Sequence, residues 1–206
     1  MASTKQRGFS LLELMITISI SMIVAAVTFI TMMPSLNRAH LESSYSTTLM
    51  ALRNTRNLAI TQSHEYYVVF NPGGFPAGTI LVQYQPPAVA GILPPLQQVI
   101  TYSVPVDITF AVRAGFPAAT PDGFGAGINP IDFGQGLGFG NLNYVVFMPD
   151  GSSRDNLGNY NSGVLYLTRA SDSIYSSRAI TVWGATGRIR GWRLDQNAGV
   201  ALWEQE

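Results

Sequence analysis

Glu13 is the residue whose setting most needs a chemical explanation. It is the single charge in the apolar run from Phe9 to Met33, and an ionised carboxylate in a membrane helix costs on the order of 3 kcal/mol. Such a group is expected to have a partner. If the chain is cut between Gly8 and Phe9, the new α-amino group supplies one, and the carboxylate of one chain meets the amine of the next inside a helical bundle. The rest of the inventory leans away from catalysis. There is no cysteine, which excludes a disulfide framework, a thiolate metal site and a cysteine nucleophile. The two histidines, His40 and His64, stand at no metal-ligand spacing and read as solvated helix positions. No nucleophile elbow accompanies any Ser–His–Asp combination. Asp150, Ser152, Asp155, Asn156, Asn159 and Asn161 form an oxygen-rich stretch of the kind hard cations use. Its spacing fits no cation loop, and these residue types are ordinary turn formers. A turn is expected there, with no metal, no cofactor and no enzymatic activity.

A basic cluster remains. Between Gly151 and Arg193 stand Arg154, Arg169, Arg178, Arg188, Arg190 and Arg193, against Asp155 and Asp172. In an extended strand Arg188, Arg190 and Trp192 project from one face. Two readings compete: the arginines grip phosphates while Trp192 stacks on a base, or they pair with carboxylates of neighbouring chains while Trp192 packs in the core. The balance of 12 acidic and 12 basic residues favours the second.

The elements that must position these residues are set by periodicity. Residues 9–33 are long enough to cross about 30 Å of hydrocarbon with some tilt. Lys5 and Arg7 precede the run, which keeps the N-terminus cytoplasmic and exports the chain beyond Met33. A signal peptide cut after Val24-Ala25-Ala26, before Val27, is the competing reading, as is a plain anchor with an incidental Glu13. Both are disfavoured by the acid within the long run. Pro34 predicts a kink rather than a stop. Beyond it Leu41, Tyr45, Thr48, Leu49, Leu52, Arg56, Ala59 and Ile60 recur at steps of three and four, opposite Arg38, Glu42, Ser46, Arg53 and Asn57. One helix from Ser10 to Gln62 is therefore expected, roughly 80 Å long.

The remainder reads as strands at 65–70, 79–84, 99–104, 109–112, 144–148, 164–168, 179–183 and 188–194, separated by Pro and Gly clusters. Helix first and strands after, with no βαβ alternation, implies an α+β fold whose sheet is mainly antiparallel. Gly115 to Asn143 is a glycine-rich insertion with the interleaved apolars Phe116, Phe124, Ile128, Ile131, Phe133, Leu137 and Phe139. A long loop packed by its aromatics, at a subunit contact, is expected, with full disorder the competing reading.

Gly8-Phe9-Ser10-Leu11-Leu12-Glu13 resembles the class III prepilin leader. The resemblance implies cleavage after Gly8 by a prepilin peptidase, N-methylation of Phe9 and an assembly role for Glu13. It also implies a pilin-like fold, a long N-terminal helix packed on a β-sheet head. The boundaries then read as a leader at 1–8, a transmembrane and filament-core half-helix at 9–36, an amphipathic half-helix at 37–63 and a head at 64–206.

Further along, Ala51–Ile60, Val145-Val-Phe-Met-Pro-Asp-Gly-Ser152, Gly163–Thr168, Arg178–Trp183 and Gly187-Arg-Ile-Arg190 together resemble the GspH/FimT family of minor pilins and minor pseudopilins. That implies a non-enzymatic subunit initiating or capping a type IV pilus or a type II secretion pseudopilus. Its partners would be other pilin or pseudopilin subunits. It would sit in the inner membrane with a periplasmic head before entering a periplasmic or extracellular filament. In the FimT branch the Gly-Arg-x-Arg signature is associated with DNA capture, which makes a DNA-binding role through Arg188, Arg190 and Trp192 the alternative.

Overall fold

The computed structural model describes residues 10–89, 91–135, 142–154 and 157–206, with backbone alone at residues 30 and 31. One helix, α1, runs from Leu11 to Gln62 and contains Pro34 without ending there. It stops where Ser63 takes a left-handed conformation, with φ of 54°. Eleven strands come after it among the described residues: β1 (Tyr66–Phe70), β2 (Thr79–Tyr84), β3 (Gln97–Ser103), β4 (Thr109–Phe110), β5 (Ile131–Gln135), β6 (Tyr144–Phe147), β7 (Ser153–Arg154), β8 (Ser162–Thr168), β9 (Arg178–Trp183), β10 (Arg188–Asn197) and β11 (Val200–Gln205). The fold is α+β, as the order of helical and strand periodicity implies.

The chain divides into a unit up to Ala39 and a compact unit from His40 to Glu206. In the first, the described side chains from Leu11 to Met33 stand exposed, Leu11 at 77% and Met22 at 68%. Its hydroxyls are satisfied by the helix itself: Thr17 donates to the Leu14 carbonyl, Ser19 to Met15, Ser21 to Thr17 and Thr28 to Val24. Such internal bonding is what an apolar solvent requires of a polar side chain. By length and composition this part of α1 can cross a membrane, with a mean hydropathy of 2.3 over its best window.

In the second unit two antiparallel sheets share one core. The first has the order β3-β2-β1-β6-β7, and the second β11-β10-β9-β8-β4 with β5 also paired to β8. Leu41, Tyr45, Ala51, Leu52 and Ala59 of α1 join Val68, Phe70, Ile80, Val82, Val145 and Phe147 of the first sheet and Leu165, Leu167, Ile180 and Val182 of the second in that core. Each fully buried Leu, Ile or Phe contributes about 2 kcal/mol through removal from water. The apolar stripe of the amphipathic half-helix is the face that meets the sheets, while Glu42, Ser46, Arg53 and Asn57 remain exposed.

The glycine-rich stretch differs from the expected loop. It holds a 3-10 turn at Pro121–Gly123 and strand β5, whose Phe133 is fully buried and stacks on Phe70 at 5.8 Å. A single apolar alternation among glycines carries too little strand signal to be read locally, and the pairing with β8 supplies it. Strands β7 and β11 also lie outside the expected set: β7 is two residues long, and Val200–Gln205 alternates weakly. Phe116 and Phe124 do pack as expected, in a second cluster with Val164, Tyr166, Ala179, Trp192 and Trp203. Ile128 stands 76% exposed. Leu137 and Phe139 lie outside the described residues.

Candidate functional site

Glu13 sits in the first turn of α1 with an exposed side chain, and no partner for it occurs among the described residues. A carboxylate there also suits the positive end of the helix. Gly8 and Phe9 lie outside the described residues.

In the head, the arginines divide sharply. Arg56 reaches from α1 to two turns at once: its Nε donates to the Gly151 carbonyl at 3.0 Å and its Nη2 to the Thr186 carbonyl at 3.1 Å. Those turns join β6 to β7 and β9 to β10, so one guanidinium fixes the helix to both sheets. Gly187 lies at the meeting point with φ of 59°, and a Cβ there would run into the Gly151 carbonyl and the Arg56 Nε. Glycine is therefore required for approach as well as for conformation. On the same helix, Tyr45 lies against Gly191 of β10, where any Cβ would collide with its phenol. Burial pushes that phenol well above the ordinary tyrosine range, with the nearby Glu206 carboxylate adding to the effect.

Arg190 is tied down on the other face of the second sheet. Its Nη1 meets Asp122 Oδ1 at 2.6 Å, and the Asp122 side chain is only 5% exposed. Asp122 Oδ2 also accepts from Thr181 Oγ1 at 2.6 Å and from Trp183 Nε1 at 3.0 Å. Trp192 Nε1 in turn donates to Thr181 Oγ1 at 3.0 Å. Asp122 is held in place by a left-handed backbone, φ 54°, between Pro121 and Gly123. Register explains the meeting: Arg190 opposes Thr181 and Trp192 opposes Ala179, so alternate residues of β9 and β10 line one face.

Arg188, Arg190 and Trp192 thus share a face, as their spacing implies, but they do not act alike. Arg190 and Trp192 are engaged within the chain, whereas Arg188 is exposed and its guanidinium has no partner among the described residues. Several of the other arginines pair with carboxylates of the same chain. Arg154 meets Asp150, Arg169 meets Asp107 and Asp172, Arg178 meets Glu42, and Arg193 meets Asp195. Sequence reasoning missed Asp122 and Arg56 as organisers. The only local hint of Asp122 is that Pro121-Asp122-Gly123 repeats the Pro149-Asp150-Gly151 turn signature.

Of the oxygen-rich stretch, Asp150 accepts from the Ser152 amide at 2.8 Å and the Ser152 hydroxyl at 2.5 Å and pairs with Arg154. These bonds, the Ser152 hydroxyl first, hold its carboxyl below the usual carboxylate range. Asn161 turns inward and accepts from the Gly134 amide. Asp155 and Asn156 lie outside the described residues. His40 is an exposed position of α1, as expected, and has Nδ1 at 3.1 Å from Asp107 Oδ2. His64 is half-buried, its ring 5.6 Å from that of Tyr84.

Residues 3–29 match the family model described as the Prokaryotic N-terminal methylation motif. No curated protein and no solved structure matches the chain. The motif supports a type IV pilin-like protein, and such a leader implies processing by prepilin peptidase and assembly with other pilins. The leader and the apolar helix fit anchoring in the inner membrane.

Proposed function

We propose that this chain is a minor subunit of the GspH/FimT kind, with a structural role in initiating or capping a type IV pilus or a type II secretion pseudopilus. The observation that carries the proposal is the methylation motif at residues 3–29 at the head of a helix that continues to Gln62. In this reading the chain is cut between Gly8 and Phe9, Phe9 is methylated, and Glu13 meets the amine of the next subunit. Support for the narrower family comes from the convergence of three of its resembling segments. Ala51–Ile60, Val145–Ser152 and Gly187–Arg190 are far apart in sequence and meet at Arg56, Gly151 and Gly187. The DNA-capture alternative gains little from the contacts, because Arg190 and Trp192 already bond to Asp122 and Thr181.

Mass spectrometry of the mature N-terminus tests the reading, with methylated Phe9 the expected first residue. Retained Met1, or Val27 at the start, would remove it. The variant Glu13→Leu should insert into the membrane at least as well as the unaltered chain, gaining about 3 kcal/mol on insertion scales, yet enter filaments poorly. Normal incorporation would make the carboxylate incidental.

A further inference from the structure

The head from His40 onward holds nine arginines against eleven carboxylates, since Lys5, Arg7, Arg38 and Glu13 all precede it. Seven of the nine arginines have partners in the fold. Arg154, Arg169, Arg178, Arg190 and Arg193 meet carboxylates. Arg56 and Arg113 bond to carbonyl oxygens, Arg113 to those of Arg169, Ala170 and Asp172. Among the described residues only Arg53 and Arg188 are left with free guanidinium groups, and both are exposed. They line the same open groove of about 490 Å³, formed by Arg53, Arg56 and Asn57 on α1 and by Thr186, Gly187 and Arg188 at the β9–β10 turn. Among the described residues both cations stand free, on a head whose other arginines are engaged.

The geometry points to this groove as a docking site for a carboxylate-bearing segment of another filament subunit, an inference that rests on the pilin-like reading above. Charge complementarity identifies the occupant. Guanidinium forks bind planar carboxylates through paired, charge-assisted hydrogen bonds, and the Asn57 amide adds a further donor. A nucleic acid fits less well. No aromatic side chain lines the groove to stack on a base, and the surplus of carboxylates on the head gives no long-range attraction for a polyanion. The groove floor is preorganised, because Arg56 is already bonded to the two turns that shape it. Arg53 and Arg188 can therefore bind without rebuilding the fold.

The test uses the full chain in detergent and a fluorescein-labelled oligoglutamate peptide, read by fluorescence anisotropy. Oligoglutamine and single-stranded oligothymidine serve as comparison probes. The unaltered chain should bind oligoglutamate in preference to both. Replacing Arg53→Gln and Arg188→Gln together should weaken that binding roughly tenfold or more, as loss of charge-assisted bonds at an interface does. Arg193→Gln, whose arginine is paired with Asp195, should leave it nearly unchanged. Absence of oligoglutamate binding, or equal binding by the double variant, overturns the inference. Tighter binding of oligothymidine through the same two arginines also overturns it and makes the groove a nucleic-acid site. In cells, the double variant should be cut after Gly8 normally and enter filaments poorly. An unaltered chain that is not cut there defeats the filament reading itself, whereas a processed double variant that assembles normally defeats the groove alone.

Discussion

On the face of the second sheet that meets α1, Leu165, Leu167, Ile180 and Val182 are covered by an apolar helical stripe, and Gly191 lets Tyr45 lie directly on the backbone. On the opposite face, Val164, Tyr166 and Ala179 are covered by the glycine-rich stretch, through Phe116 and Phe124 and through Asp122 with its three donors. The helix can seal a sheet with apolar area alone because its own backbone bonds are internal. A loop cannot, since its polar groups and its course both need fixing. Asp122 does that fixing. The contrast teaches that Arg190 belongs to the fold of the head, while the guanidinium of Arg188, two residues away on the same strand, has no partner among the described residues.

Asp122→Ala should have the largest effect, about 3 kcal/mol of stability lost, because it leaves Arg190 in a largely desolvated site without its carboxylate. Urea unfolding of the chain in detergent, followed by tryptophan fluorescence, reads this directly. A loss below about 1 kcal/mol would mean that the glycine-rich cover is held by its aromatics and that the two faces differ less than the contacts imply.

A smaller effect is expected on the helix side. Gly191→Ala forces the Tyr45 ring aside at an expected cost of about 1–3 kcal/mol, and Tyr45→Phe should recover part of it by removing the hydroxyl nearest the new methyl. Strict additivity of the two changes would show that helix and sheet are less closely apposed.

The smallest expected effect concerns a polar tie of the same helix, where Asp107 lies between His40 of α1 and Arg169. Partial burial pushes its carboxyl up, but hydrogen bonds from His40 and the backbone, with the His40 and Arg169 charges, outweigh this and hold it below the usual carboxylate range. A carboxyl lowered on folding stabilises the protein above its unfolded pKa of about 3.9, and that contribution is lost as pH falls through the lower folded value. Asp107→Asn should therefore flatten the acid limb of stability against pH below about pH 4 and leave the neutral plateau only slightly reduced. An unchanged acid limb would show that the tie contributes nothing.

Much of the head was legible in the sequence where the signal is local. The steps of three and four through Leu41, Tyr45, Leu52 and Ala59 place the buried stripe, and Thr79–Tyr84 is a strand at the predicted bounds. The membrane-length apolar run and the cost of Glu13 inside it were legible without any tertiary information, because both are properties of the segment itself. The resemblance of Gly8-Phe9-Ser10-Leu11-Leu12-Glu13 to a prepilin leader carried the pilin-like reading. Period-two alternation also put Arg188, Arg190 and Trp192 on one face. It could not say which of them was engaged within the chain. That depended on Asp122, 68 residues before Arg190, being brought over the strand by a left-handed turn and the pairing of β5 with β8. It depended equally on Arg56 drawing the turns at Gly151 and Thr186 together. A side chain's direction is set by its neighbours in sequence, but its partner is set by whatever distant segment packs above it, and only the tertiary structure decides that.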